Sequence, residues 1–324
     1  MIQKVVRPVY RELKKAERFF CQLAGSDLPG VRDIADHIST YRGKGLRPVL
    51  LLLCSGLSGG VSRESIEAAA AVELLHTTTL IHDDVVDRSD LRRGGPTVNF
   101  LWGNRTAVLA GDIFFSRVMS WLVELDISEV SSVFSSAIRK VCEGELIQSQ
   151  NSRGNRLISE KEYFDIISLK TASLISASCE LGVLTSRGGG NGERPAAGRY
   201  GNNLGIAFQI KDDLMDYNGR KEKMGKPASR DLAGSILTLP LLYGLKNSRN
   251  GDRAAVLEII GRGIELAEVD FIKDFAEKSG GIEYAGEKAG EYARAALASL
   301  NDLPGSRYRN AMSRLAEFVI ERDF

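Results

Sequence analysis

Residues 80–87 read Leu-Ile-His-Asp-Asp-Val-Val-Asp, and residues 209–216 read Gln-Ile-Lys-Asp-Asp-Leu-Met-Asp. Both stretches hold the pattern Asp-Asp-x-x-Asp inside an apolar frame. On an α-helix, the first and last Asp of such a pattern lie about 40° apart around the axis and one turn apart along it. Each copy therefore presents two carboxylates to one point.

Carboxylates grouped in this way suit Mg²⁺, which is bound through one or two acids and completes its shell with water and substrate phosphates. One copy would be weak evidence, because acids are common at helix starts and on solvated faces. Here each copy follows an apolar segment, residues 68–81 and residues 204–210. Buried acids are costly without a partner. The repeat therefore predicts two facing Mg²⁺ sites with a phosphorylated substrate between them.

Composition is that of an ordinary soluble globular chain, with 43% hydrophobic and 26% charged residues among 324. The net charge of +1 gives no support to nucleic-acid binding. The four cysteines are widely spaced without a C-x-x-C pattern, which favours a reducing compartment. No signal-like apolar core is present, and the longest apolar run, residues 49–54, is too short to cross a bilayer. We expect a cytoplasmic protein with at most peripheral membrane contact.

Helical periodicity in nearly every segment predicts an all-α fold, a single domain over residues 1–324 built from roughly ten or more helices around a central cavity. Ser62 is a predicted N-cap, and Ser159 with Glu162 forms a predicted capping box. Residues 88–95 are expected to be a polar loop, and residues 188–193 a flexible connector. The predicted helices cover residues 5–24, 49–57, 64–87, 106–124, 127–150, 159–185 and 200–217, followed by short helices with breaks near residues 247–252, 279–281 and 303–306.

Cations accompany the acids. Residues 43–48 read Gly-Lys-Gly-Leu-Arg-Pro, which places Lys44 and Arg47 in a glycine-rich turn that enters an apolar helix. The compact charge of a lysine and the planar, forked guanidinium of an arginine are commonly used together to bind phosphate. The spacing differs from that of a P-loop, so nucleotide hydrolysis is not implied. Arg92 and Arg93 follow the first Asp motif, and we expect each to reach a different phosphorylated substrate.

His76 lies nearly in line with the first motif on the predicted helix. Together with Glu73 it resembles half of a di-iron carboxylate site, which needs a second Glu-x-x-His. The chain has 3 histidines and no second copy of that pattern. We therefore set the di-iron interpretation aside.

The ordered motifs resemble the trans-polyprenyl diphosphate synthase family, and within it the long-chain, octaprenyl-diphosphate-synthase-like members, over nearly the whole chain. Besides the stretches quoted above, the similarity is carried by Ser-x-x-Arg-Arg-Gly-x-Pro-Thr at 89–97, Gly-Asp at 111–112, Glu-Gly-Glu at 143–145, Lys-Thr-Ala at 170–172 and Gly-Lys-Pro at 225–227. The resemblance implies the isoprenoid synthase fold, two or three Mg²⁺ ions and a homodimer, with a heteromer as the alternative.

The resemblance also implies roles for individual residues. Isopentenyl diphosphate would be bound by Lys44, Arg47, His76 and Arg93. The allylic diphosphate would be bound by Arg92, Lys170, Thr171, Gln209 and Lys226. Mg²⁺ would be held by Asp83, Asp84, Asp87, Asp212, Asp213 and Asp216. The catalytic set would be Asp83, Asp84, Asp87, Lys170, Gln209 and Asp212.

This set of residues suits a reaction in which the allylic diphosphate ionises, condenses with isopentenyl diphosphate and then loses a proton. Mg²⁺ and the cations neutralise charge on the departing diphosphate, and the double bond of isopentenyl diphosphate attacks the allylic carbocation that remains. The released diphosphate takes the proton in the family picture, so no protein nucleophile is needed. Orientation of two ionic substrates in one dry pocket adds to the rate.

Product length is expected to depend on the wall below the first motif. Thr79 and Leu75 lie about 6 and 12 Å back along the helix. Short-product members of the family carry a bulky aromatic residue four or five positions before the motif, where this chain has Thr79 and Thr78. We therefore predict an all-trans product of about C30 to C50 from this motif comparison. The candidates for the floor of the cavity, each equally compatible with an ordinary core role, are Phe114, Phe115, Met119 and Trp121.

One position departs from the family pattern. Ser235 and Ile236 stand where a Gly and a diphosphate-binding Lys are expected. Either Lys223 or Arg230 substitutes for the missing cation, or activity is reduced and the protein works beside a catalytic partner subunit. A terpenoid cyclase or head-to-head synthase shares the acidic motif but has no use for an isopentenyl diphosphate grip, so Lys44 and Arg47 argue against it.

Overall fold

The computed structural model describes residues 5–153, 156–188, 192–217, 236–249 and 251–321. Over these residues the chain is helical apart from one hairpin of two very short strands, which confirms the all-α prediction. The chain divides into two compact units. The first unit comprises Met1–Ser135, Ala177–Gly198 and Leu300–Arg314, and the second comprises Ser136–Ser176, Arg199–Ser299 and Leu315–Phe324. A single domain over residues 1–324 stays a prediction.

The predicted helices begin and end close to their expected positions, whereas the helices at Pro29–Thr40 and Val98–Trp102 were not predicted. In chain order they are α1 (Tyr10–Ala24), α2 (Pro29–Thr40), α3 (Leu46–Leu57), α4 (Arg63–Val86), α5 (Val98–Trp102), α6 (Asn104–Leu125), α7 (Ser128–Arg153), α8 (Glu160–Ile167), α9 (Ser173–Leu184), α10 (Arg194–Tyr217), α11 (Leu239–Asn247), α12 (Gly251–Arg262), α13 (Val269–Lys278), α14 (Gly281–Ser299) and α15 (Arg307–Glu321). The hairpin strands are β1 (Leu91–Arg92) and β2 (Gly95–Pro96).

Helix α4 is the central element of the first unit and packs against α1, α3 and α6. Its start is fixed by Ser62, whose hydroxyl accepts the backbone N–H of Ser65, as predicted. The four alanines at 68–71 are at most 1% exposed, so neighbouring helices pack closely on this part of α4. A buried hydrogen bond from Ser62 to the carbonyl of Thr185 ties the same end to the C-terminal end of α9. The rigid N-terminal half of α4 thus supports the acidic motif at its other end.

The core of the second unit forms around α11, which packs against α13, α14 and α8. Ile206, Ile210 and Leu214 place one face of α10 in this cluster. The second Asp motif therefore belongs to a helix that is anchored by apolar packing along its length.

Four local predictions were wrong in detail. Residues 88–95 are largely a hairpin rather than a loop. The helix predicted over 159–185 is interrupted by a π-helical segment, Ser168–Ala172, between α8 and α9. Asp87 is the C-cap of α4 and not a helical residue. An additional break follows α12, where Gly263 has a φ of 96° that other residues rarely adopt.

Two helical stretches, Asn104–Leu125 and Glu160–Leu184, are long and apolar enough to span a membrane by length and composition. Their most apolar windows are 39% and 67% buried in the structure. Core helices of soluble proteins pass the same test, so the finding is weak evidence for membrane insertion.

Candidate active site

The first acidic motif lies at the C-terminal end of α4. The backbone N–H of Asp87 donates to the carbonyl of Asp83 at 2.8 Å, so the two residues stay one helical turn apart although Asp87 ends the helix. Asp83 is half-buried and Asp87 is exposed, whereas Asp84 points inward and is 4% exposed. The motif therefore has an outward pair of acids and one buried acid.

The buried acid is paired with a cation. Nε of Arg92 donates to Oδ1 of Asp84 at 2.6 Å. The amide of Asn99 donates to the backbone carbonyls of Asp84 and Ser89, which fixes the chain just after α4. Asp84 and Arg92, predicted to bind Mg²⁺ and the allylic diphosphate, thus contact each other in this structure.

The hairpin positions the neighbouring arginine. Arg93 and Gly94 form its two-residue turn, with φ values of 53° and 78°, the combination of a type I′ turn. A Cβ at Gly95 would lie 2.3 Å from the Tyr41 ring, and the ring of His37 hydrogen-bonds the carbonyl of Pro96 at 2.8 Å. Helix α2 and the residue after it therefore hold the hairpin in place.

Arg93 reaches the glycine-rich turn at residues 43–45. A Cβ at Gly43 would lie 2.6 Å from Nη2 of Arg93, so the guanidinium lies against bare backbone there. Gly45 is the N-cap of α3 in a left-handed conformation with a φ of 62°. Lys44 is exposed and Arg47 is half-buried in the first turn of α3. The structure thus brings Lys44, Arg47 and Arg93 to one helix N-terminus, an arrangement that favours an anion.

The charged groups of this cluster affect the pKa values of their neighbours. Burial lowers the pKa of Arg47 to about 10, with Glu73 opposing the shift and Arg93 adding to it. Burial, followed by the charges of Arg47 and Arg93, lowers the pKa of His76 well below its usual value. His76 is therefore neutral at physiological pH and offers a phosphate a hydrogen bond rather than a charge.

In the second unit, the π-helical segment carries Lys170 and Thr171. Such segments widen a helix and occur often at functional sites. A Cβ at Gly144 would lie 2.8 Å from the backbone nitrogen of Lys170, and one at Gly205 would lie 2.6 Å from the Cα of Ala172. These two glycines allow α7 and α10 to approach the segment closely. They give a packing reason for Gly144 in the sequence pattern.

Lys170 is held by an acid from the same pattern. Its Nζ lies 2.5 Å from Oε2 of Glu145, and the two side chains are 28% and 18% exposed. The pair ties the π-helical segment to α7. A bound diphosphate would have to compete with, or share, this carboxylate.

A chain of hydrogen bonds connects the π-helical segment to the second motif. The Thr171 hydroxyl donates to Oε1 of Gln209 at 2.7 Å, and Nε2 of Gln209 donates to Oδ1 of Asp213 at 2.7 Å. The phenol of Tyr163 donates to Oδ2 of Asp213 at 2.6 Å. Burial and the Asp213 charge raise the pKa of Tyr163 well above its usual value, so the phenol keeps its proton. Both carboxylate oxygens of Asp213 therefore accept hydrogen bonds within the protein.

Mg²⁺ fits the outward acids better than the buried ones. Asp212 is half-buried, whereas Asp213 and Asp216 are 8% and 3% exposed. Among the described residues, no three His, Cys, Asp or Glu side chains come together as a preformed metal site. One or two carboxylates with substrate phosphates and water are enough for Mg²⁺, so the donor set is compatible with the ion.

The residues predicted to control product length differ in exposure. Thr79 is half-buried, while Thr78 and Leu75 are each 2% exposed. The Thr78 hydroxyl donates to the carbonyl of Leu74 at 3.0 Å and that of Thr79 to the carbonyl of His76 at 2.9 Å. Only Thr79 shares the partly open face of α4 with His76 and Asp83. Of the floor candidates, Phe114 and Trp121 are core residues, and Phe115 and Met119 are half-buried.

Several predicted residues lie outside the described part of the chain. These are Lys223, Lys226, Arg230 and Ser235. Ile236 is described and half-buried, and it directly precedes Leu237 in the core of the second unit.

Sequence reasoning missed three side chains that contact or influence the predicted site. Tyr163 and Glu145 hold Asp213 and Lys170, and Glu73 lies below the arginine cluster. Glu145 was part of a quoted pattern, and Glu73 was considered only as an iron ligand. Tyr163 carried no sequence signal, because its contact spans 50 positions.

Comparisons with known proteins identify the family of the chain. The family model described as polyprenyl synthetase matches residues 29–275. The short chain isoprenyl diphosphate synthase of Methanothermobacter thermautotrophicus is 37% identical over 294 residues, 89% of each chain. The octaprenyl diphosphate synthase of Haemophilus influenzae is 32% identical over 323 residues, covering 100% of this chain and 97% of that protein.

A solved structure shows the same fold. The polyprenyl synthase of Caulobacter crescentus CB15, complexed with calcium and isoprenyl diphosphate, superposes with a TM-score of 0.92 at 34% identity, over 99% of this chain and 98% of that chain. Since the family model covers most of the chain and the relatives exceed 30% identity over nearly all of it, the chain belongs to the polyprenyl synthetase family of trans-prenyl diphosphate synthases.

Proposed function

We propose that this enzyme condenses isopentenyl diphosphate head-to-tail with an allylic diphosphate to make a long-chain all-trans polyprenyl diphosphate. The observation that carries the proposal is the convergence of Lys44, Arg47 and Arg93 at the N-terminus of α3. A cyclase needs only one diphosphate site, whereas this cluster supplies a second one. The proposal therefore favours bimolecular condensation over cyclisation of a single substrate.

Isopentenyl diphosphate is bound by the cluster at the N-terminus of α3. Arg47 and Arg93 supply planar forks that hold phosphate oxygens in pairs, and Lys44 supplies a point charge. Neutral His76 adds a hydrogen bond. These contacts fix the substrate so that its double bond meets the allylic carbon.

The allylic diphosphate is bound by Lys170, Thr171, Gln209 and Lys226, and by Arg92 once it exchanges part of its contact with Asp84. Mg²⁺ would be held by the outward acids Asp83, Asp87 and Asp212, together with the buried Asp216, and would neutralise charge on the leaving diphosphate. Asp213 orients Gln209 through its Oδ1, and Asp84 orients Arg92. Asp84 and Asp213 stay predicted Mg²⁺ ligands, and their hydrogen bonds give them a positioning role as well.

A long product is supported by the small side chain at position 79 on the partly open face of α4. The relatives themselves do not decide the length, since one is named as a short-chain synthase and another as an octaprenyl synthase. From the motif comparison we propose a product length of about C30 to C50. The growing chain passes Thr79 and continues toward the half-buried Phe115 and Met119.

The test is a reconstitution with the purified protein alone. Mg²⁺, farnesyl diphosphate and labelled isopentenyl diphosphate are supplied, and the products are dephosphorylated and separated by length. A ladder ending between C30 and C50 is the expected result. A cyclised hydrocarbon would favour the cyclase. Absence of product with this chain alone would favour a subunit that needs a catalytic partner, the alternative raised by Ile236.

We propose a homodimer as the working assembly. Five apolar side chains on α5 and α6 are exposed in the single chain: Phe100 61%, Leu101 45%, Val108 40%, Leu109 53% and Val123 78%. Leu109 and Val123 are about four turns apart and so share a face of α6. Mass by light scattering should be twice that of the chain, and Leu109→Glu should halve it. Leu146→Glu, at an exposed leucine of α7, is the control and should leave the dimer intact.

A further inference from the structure

Glu73 lies on α4 one turn before His76, with 9% of its surface exposed. Its Oε2 has no hydrogen-bond partner among the described residues. A buried carboxylate is unfavourable unless charges or donors compensate it. The surroundings of Glu73 therefore need to supply positive charge.

Three arginines from separate parts of the first unit supply it. Burial raises the pKa of Glu73, and the charges of Arg47, Arg93 and Arg42 all oppose that rise. In return, Glu73 raises the pKa values of Arg47 and Arg93 against the effect of burial. Arg47 lies in the first turn of α3, Arg93 belongs to the hairpin turn and Arg42 precedes the glycine-rich turn. One carboxylate is thus the common counter-charge of residues far apart in sequence.

Two of these arginines also carry a buried hydrogen-bonding group that is not used within the described residues. Nε of Arg42 and Nε of Arg47 are buried without a partner in the described structure, like Oε2 of Glu73. Arg42 is otherwise fixed by the carbonyl of Glu17 and by stacking on the Phe20 ring at 4.5 Å. None of the ion pairs within 4 Å in the described part involves Glu73, so its effect on the arginines is that of a nearby charge.

We propose that Glu73 is a positioning residue for isopentenyl diphosphate, whose buried charge keeps Arg47 and Arg93 together and directed toward the substrate. The charge of Arg93 lowers the pKa of Arg47, as expected for two like charges that repel each other. Without a counter-charge the two guanidinium groups would separate and lose their shared geometry. Glu73 itself contacts no substrate and acts only through the arginines. The inference deepens the proposed function and rests on it.

The charge is tested with Glu73→Gln, which keeps the shape of the side chain. We expect the KM for isopentenyl diphosphate to rise about tenfold, because losing a nearby charge or a hydrogen bond to a charged group weakens binding by about that factor. The KM for the allylic substrate and kcat should stay within about twofold. Glu73→Asp keeps the charge but shortens the reach, so its KM should lie between those of Glu73→Gln and the wild type.

The matched control is Glu67→Gln on the same helix. Glu67 accepts hydrogen bonds from Arg63 and from the Trp121 indole, away from the arginine cluster. A general effect of losing a carboxylate from α4 would appear in both variants. Only a positioning role predicts a change confined to Glu73 and to isopentenyl diphosphate.

A double-mutant cycle with Arg47→Gln separates positioning from packing. If Glu73 acts through Arg47, the second substitution should add little to the KM of Arg47→Gln. Equilibrium binding of isopentenyl diphosphate by calorimetry gives the same comparison without turnover. Unchanged or tighter binding in both Glu73 variants would overturn the inference while leaving the proposed condensation intact. A wild type that neither condenses nor binds isopentenyl diphosphate would instead overturn the proposed function, and this inference with it.

Discussion

Nε of Arg92 donates a 2.6 Å hydrogen bond to Oδ1 of Asp84, so the middle acid of the first motif is neutralised by an arginine from the neighbouring hairpin. The side chains are 25% and 6% exposed, so solvent screens the pair only weakly. Removal of one partner leaves the other as an uncompensated charge. The pair thus links the end of α4 to the hairpin that also carries Arg93.

Arg92→Met should destabilise the protein by about 2 kcal/mol, below the range for fully buried pairs because Arg92 is partly exposed. Chemical unfolding measures the loss. Asp84→Asn in the Arg92→Met background should restore about 1 kcal/mol, since it removes a buried charge that has lost its 2.6 Å partner. Strictly additive losses would show that the two side chains do not depend on each other. Activity should stay low in the double variant, because the allylic diphosphate has lost a cation.

Tyr163→Phe should raise the KM for the allylic substrate several-fold and cost about 1 to 3 kcal/mol of stability, because Oδ2 of Asp213 loses its buried donor. The reason for the KM effect is that Asp213 fixes Gln209, whose other end is bonded to Thr171. Steady-state kinetics with each substrate varied in turn provides the measurement.

Tyr284→Phe is the matched control for Tyr163→Phe. Tyr284 donates to Oε1 of Glu160 at 2.5 Å in the same unit. The substitution therefore removes a similar hydrogen bond that lies outside the second motif. It should leave both KM values unchanged. Equal effects of the two substitutions on the allylic KM would argue against a role for Tyr163 in the site.

Much of the architecture could be predicted because it is encoded locally. The caps at Ser62 and Ser159 and the apolar periodicity of α4 and α10 are short-range signals, and both caps form as expected. The gathering of Lys44 and Arg47 in one turn follows from adjacency in sequence. The family motifs then assign roles that local physics alone leaves open.

The rest depends on contacts between distant positions. The type I′ turn at Arg93 and Gly94 forms where Gly95 of the hairpin packs against the ring of Tyr41. Tyr41 lies 52 residues before Arg93 in the sequence. The π-helical segment lies where Gly144 and Gly205 allow α7 and α10 to approach it closely, and helical propensity does not encode such contacts. Glu73 likewise acquires its meaning only when three arginines converge on it.

Product length provides a test that distinguishes the two threonines. Thr79→Phe should shorten the main product with little loss of stability, because Thr79 is only half-buried on the face shared with Asp83. Thr78→Phe should instead cost about 1 to 3 kcal/mol from overpacking, since Thr78 is 2% exposed. Product ladders and melting temperatures of the two variants check the prediction. An unchanged ladder for Thr79→Phe would mean that the growing chain does not pass this side chain.

Ile236 tests whether the site lacks a cation. Ile236 directly precedes Leu237, which is 5% exposed, and Thr238, whose hydroxyl hydrogen-bonds the phenol of Tyr217 at 2.8 Å. Residue 236 therefore lies two positions before a residue that contacts the end of α10. A lysine there can keep its stem packed and its ammonium group in solvent, so Ile236→Lys should fold.

If Lys223 or Arg230 already supplies the missing charge, Ile236→Lys should change kcat and the allylic KM by less than about twofold. Ile236→Met is the control for shape without charge. Lys223→Gln and Arg230→Gln then identify the substitute, because the one that acts should raise the allylic KM and should be rescued by Ile236→Lys. A large gain in the single Ile236→Lys variant would contradict compensation and would support a chain that depends on a catalytic partner.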